Sequence, residues 1–171
     1  MGAAFRELDI ATYKFPGGRL SANNTEKDAF RQQNLIVKGA DADTLTIQPI
    51  KDLITGWYPG SSIEQDNTFT PPGWQGSPRQ GLYHDVVKSS CRTCHVALDS
   101  NATDFGINWT SYGQLKRRRN ILSDFVLCDS RFMPHAVTTY RNFWLSALPH
   151  RPAVLRDFND GSDWPALGPC Q

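Results

Sequence analysis

Apolar positions along the 171-residue chain recur at helical intervals in five stretches, set between segments rich in Gly, Pro, Asn and Asp. Two of the stretches lie within 1–76. One covers about 26–38 and opens on the cap signal Asn24-Thr25. The other covers 49–57, where Ile50, Leu53, Ile54 and Trp57 share a stripe behind Pro49, a residue well suited to a first helical turn. The stretch 59–76, with Pro71-Pro72-Gly73, reads as a long ordered loop.

From Ser77 onward the pattern tightens. Ser77-Pro78-Arg79-Gln80 predicts a helix start, with Ser77 as the cap and Gln80 as its capping-box partner. Leu82, Tyr83, Val86 and Val87 then form one stripe that runs into Cys91. A second helix is expected over about 111–126, with Tyr112, Leu115, Leu122, Phe125 and Val126 on one face. A third follows Pro134: Ala136, Val137, Tyr140, Phe143, Trp144, Ala147 and Leu148 keep the helical rhythm until Pro149 stops it. The expected fold is therefore mainly α. A three-helix domain with a C-terminal tail occupies 77–171, preceded by a loop-rich extension over 1–76 that holds two helices. Three amphipathic helices of this size can enclose one flat apolar cofactor.

Charge changes this picture little. Eighteen Lys and Arg against seventeen Asp and Glu leave no global field to attract nucleic acid or a membrane surface. No apolar run is long enough to span a bilayer. The opening MGAAFRELDI lacks the apolar core of a secretory signal peptide.

The cysteines carry the chemistry. Cys91-Arg92-Thr93-Cys94-His95 is a C-x-x-C-H motif, the signature of c-type haem attachment. Two thiols three positions apart near a helix end can each add across one haem vinyl group, and the adjacent imidazole of His95 then falls under the iron. Two other readings stay open. A thioredoxin-like pair would follow a strand in a βαβ unit, and a zinc site would need a fourth ligand, for which His84 or Cys128 would serve. Cys128 and Cys170, remote from the motif, suit a disulfide in an oxidising compartment. A six-coordinate haem needs a second axial ligand. Met133, in Phe132-Met133-Pro134, is the one methionine besides Met1, and its thioether would favour the ferrous state. His135 and His84 are the alternatives, and either would lower the potential.

With these residues in hand, 77–148 resembles a class I cytochrome c: a helix ending in C-x-x-C-H, a middle helix, a methionine loop and an aromatic C-terminal helix. The resemblance implies one covalent haem c with His95 and Met133 as axial ligands. It also implies that the first and last helices cross on small and aromatic side chains, which Gly81, Tyr83, Tyr140 and Trp144 would supply. The Gly-Pro that follows the haem histidine in that family is absent from 96–105. Haem of this kind is attached after export, so the resemblance implies a periplasmic or extracellular protein whose leader is not in this chain.

Lys116-Arg117-Arg118-Arg119 is the sharpest charge run. It suits an acidic redox partner or a haem propionate, with Lys116 and Arg119, three apart, as the pair best placed to share a face. Trp109 and Tyr112 are further candidates for a propionate. Three functions stay in play. The first is electron transfer, as a module serving other redox proteins or as a subunit of a multi-subunit complex. The second is a peroxidase-like haem enzyme with an open distal site. The third is a structural subunit in which 1–76 wraps a partner.

Overall fold

The computed structural model describes residues 7–12, 23–40, 47–92, 109–128 and 137–161. They are mainly helical, and no strand occurs among them. The chain falls into two compact units, Met1–Pro71 and Pro72–Gln171.

In the first unit, α1 (Asn24–Gly39) packs against α2 (Ile47–Trp57). The cap of α1 is Asn23 rather than the expected Asn24-Thr25. Its side-chain oxygen accepts from the Thr25 and Glu26 amides at 3.0 and 3.2 Å, satisfying two donors that a helix start leaves without intrahelical acceptors. Helix α2 begins two residues before the expected start. Pro49 still falls within its first turn, where a missing N–H removes no helical bond. The expected stripe of Ile50, Leu53, Ile54 and Trp57 is almost wholly buried. Gly56 lies off this stripe, and a Cβ there would overlap the Phe69 ring.

In the second unit, the 3-10 turn Pro72–Trp74 buries Trp74 completely, and the indole N–H donates to the Trp109 carbonyl at 2.7 Å. Helix α3 (Arg79–Leu82) follows and widens without a break into a π-helix over Tyr83–Cys91. The expected Ser77 cap is not found. The cap position belongs to Pro78, which makes no side-chain bond there. Leu82/Tyr83, Val86/Val87 and Ser90/Cys91 are buried pairs repeating every four residues. The Arg92 N–H bonds the Val87 carbonyl, five residues back.

The expected helix over 111–126 is broken. Helix α4 (Tyr112–Arg117) starts on Ser111, whose hydroxyl accepts from the Gln114 amide at 3.3 Å. It stops at Arg118, whose backbone at φ −102°, ψ 14° is not helical. Helix α5 (Arg119–Ile121) then runs into a second π-helix, Leu122–Cys128.

Helix α6 (Val137–Trp144) ends well short of Pro149, leaving Leu145 and Leu148 exposed. What was expected to be a tail after Pro149 contains a further helix, α7 (Arg151–Asp157), with Pro152 in its first turn. Both α6 and α7 pack on the Tyr83–Cys91 helix. Phe143 and Leu155 are their most deeply buried side chains, against an interior that includes Leu82, Tyr83, Leu115 and Leu122.

Arg151 latches these helices together. Its Nε donates to the Asp85 carbonyl at 2.8 Å, and its Nη1 to the Asn142 carbonyl. Its own amide donates to the Ser146 hydroxyl at 3.3 Å. One guanidinium thus serves a carbonyl on the helix that ends in Cys91 and another on α6. Arg151→Ala is expected to lower unfolding free energy by about 2 kcal/mol, the usual effect of losing charge-assisted bonds to partly buried carbonyls. Arg151→Lys, which keeps the charge but cannot fork, should recover only part of it. Urea unfolding of the three proteins checks this.

Candidate functional site

Cys91 is the last residue of the Tyr83–Cys91 helix and is 1% exposed. Its sulfur is not half of a disulfide. Leu82, Val86 and Val87 of the same helical run are buried with it. Arg92 follows directly and is 2% exposed, with its guanidinium carbon 6.0 Å from the centroid of the Trp109 ring. A cation buried to this degree beside a candidate attachment cysteine had no signal in the sequence, where the middle of a C-x-x-C motif carries no periodicity.

Cys94, His95, Met133, His135 and Cys170 lie outside the described residues. Cys128 closes the second π-helix and is disulfide-bonded. The sulfur that completes that bridge also belongs to a residue outside the described set. His84 is half-buried on the Cys91 helix, its ring edge-on to Tyr83 with centroids 5.3 Å apart. Among the described residues, no group of three or more His, Cys, Asp or Glu is arranged to hold a metal ion.

No family model, curated protein or solved structure matches the chain. The site therefore stands on its own residues.

The basic run spans a helix interruption. Lys116 lies in α4 and Arg119 opens α5, on either side of the interruption at Arg118. Lys116 holds its ammonium 6.0 Å from the Tyr112 ring centroid, and Arg79 holds its guanidinium carbon 4.8 Å from the same ring. Arg79 is distant in sequence, and only the docking of the 72–74 turn onto 109–112 brings it there. Tyr112 is also committed elsewhere: its hydroxyl donates to the Asp160 carboxylate at 2.6 Å. Trp109 uses its carbonyl to accept from Trp74. Gly81, expected at a close helix crossing, is exposed, and a Cβ there would meet no atom within 4 Å. Tyr140, expected at the same crossing, is 37% exposed, while Phe143, one turn on, is fully buried.

Proposed function

We propose that the protein is a carrier of single electrons, holding one haem c through Cys91 and Cys94. The observation that supports this best is the C-x-x-C-H motif, with its first cysteine present as a buried thiol at the end of a helix. The residues suit the group. Cys91 is buried on the helix that also buries Leu82, Val86 and Val87, and the packing of α6 and α7 against that helix would fix the anchor. Cys94 would supply the second thioether, and His95 and Met133 would hold the iron. Haem would supply a one-electron couple there. The protein's own part is to exclude water with Leu82, Val86, Val87 and Phe143 and to hold the ligands in place.

Among the described residues no helix is long and apolar enough to cross a membrane. Partners are proposed to be other redox proteins with acidic surfaces, for which exposed Arg117 and half-exposed Lys116 offer counter-charges. Attachment of haem after export would place the protein outside the cytoplasm.

Met133→Ala is expected to remove the weak far-red band of methionine-ligated ferric haem and to lower the reduction potential. Optical titration against redox dyes measures both. An unchanged spectrum would transfer the ligand role to His135 or His84. Cys170 is the proposed partner of Cys128, which leaves Cys94 for its thioether. Peptide mapping without reductant should recover 128 and 170 as one cross-linked pair, and a 94–128 cross-link would remove Cys94 from the haem.

A further inference from the structure

Arg92 lies between the two cysteines of the motif, and its burial is no part of holding a haem. Ser90, Cys91 and Arg92 are 1%, 1% and 2% exposed, so water barely reaches the end of this helix. The guanidinium carbon stands 6.0 Å from the centroid of the Trp109 ring, and Trp109 is buried as well. Trp109 is anchored in turn, because its carbonyl accepts the indole N–H of fully buried Trp74 at 2.7 Å. Packing alone gives no reason for a cation here. Taking a guanidinium out of water is costly, and an apolar side chain of similar length would fill the space without that cost. The charge nevertheless persists, since arginine does not give up its proton inside a protein.

A fixed positive charge in this place bears on electron transfer. Reduction of a haem takes one electron from a donor redox protein and lowers the net charge at the iron by one unit. A nearby cation therefore favours the reduced form. Cys91 would be bonded to the edge of the macrocycle, and Arg92 is its neighbour, with Cα atoms about 3.8 Å apart. At a separation of about 12 Å and an effective permittivity of about 20, one unit charge shifts a one-electron equilibrium roughly tenfold. Salt screens a buried charge far less than one on the surface.

We propose that Arg92 tunes the reduction potential of the haem, its buried charge holding the couple above the value that the axial ligands alone would give. This rests on the haem reading of the motif. It asks of Arg92 no contact with the iron, only a charge held in place by the Trp109 ring and shielded from water.

Full-length Arg92→Gln and Arg92→Met both remove the charge but leave different side chains in its place. Optical titration against redox dyes gives each potential at about 0.01 M and about 1 M salt, where the screening lengths are about 30 Å and about 3 Å. Both variants should keep the native absorption spectrum and shift the couple toward the ferric form roughly tenfold, which is about 59 mV for one electron. The shift should be equal in the two variants and equal at the two salts. If Arg92→Gln takes up no haem, Arg92→Met decides alone, by the size of its shift and its indifference to salt. Haem-bearing variants with the native potential overturn the proposal, as does a shift that vanishes at high salt or differs between the two replacements. Those results leave the haem reading standing, whereas a native chain without covalent haem overturns both.

Discussion

A chain with alanine at both Cys91 and Cys94 is expected to retain no covalent haem. Thioethers form only from thiols, so the loss should be complete rather than graded. Alanine is the right replacement at Cys91, because serine would bury a hydroxyl where the thiol is 1% exposed and add an unrelated destabilisation of about 1–3 kcal/mol. Each single variant keeps one thiol and should keep haem through one thioether, with a shifted absorption maximum. Mass spectrometry of the denatured polypeptides, grown where haem attachment is supported, reads all three. Haem mass persisting on the double variant would show that the motif is not the attachment site.

The largest effect on folding is expected from Gly73→Ala. A Cβ at Gly73 would lie 2.6 Å from the Ser111 Cβ, 2.8 Å from the Thr110 carbonyl oxygen and 2.9 Å from the Ser111 Cα. None of these is the far end of a flexible side chain, so the 72–74 turn must lift off 109–112. That lift pulls Trp74 out of its buried position and disturbs its bond to the Trp109 carbonyl. Overpacking of this kind destabilises by about 1–3 kcal/mol, and the lost indole bond puts this case at the upper end. For a unit of this size the melting temperature should fall by about 10–20 °C. Gly81→Ala provides the contrast. Nothing stands within 4 Å of its Cβ, and it lies in α3, so it should stabilise by about 0.5–1 kcal/mol. Thermal unfolding followed by Trp fluorescence distinguishes the two.

Periodicity located most helices because it reports burial directly. Ile50, Leu53, Ile54 and Trp57 were visible as a stripe, as were Leu82, Tyr83, Val86 and Val87, and all eight are buried. What it missed has physical reasons. The π winding of 83–91 hides inside an apparently ordinary stripe, since buried positions 82, 83, 86 and 87 also fit α-helical spacing. The interruption at Arg118 is a matter of one residue's backbone angles, to which an apolar pattern is blind. Helix α7 has seven residues, too few to show a period, and follows a proline that looked like a stop. Its Arg151 acts through carbonyls of residues 85 and 142, and a carbonyl has no sequence signature.

The candidate site was legible to a different degree. Its motif is written in adjacent residues, so the sequence alone names Cys91, Cys94 and His95. The structure adds the burial of the Cys91 thiol and of Arg92. The chemistry at Tyr112, flanked by Arg79 and Lys116 and bonded to Asp160, depends on tertiary docking and could be found only there.

The most direct test is an optical spectrum of the purified full-length protein, oxidised and reduced, recorded before and after extraction into acidified acetone. The account predicts haem absorption that stays with the polypeptide, with a far-red methionine band in the ferric form. Colour that passes into the organic phase, or a protein without haem absorption from a host that attaches haem c, would contradict it.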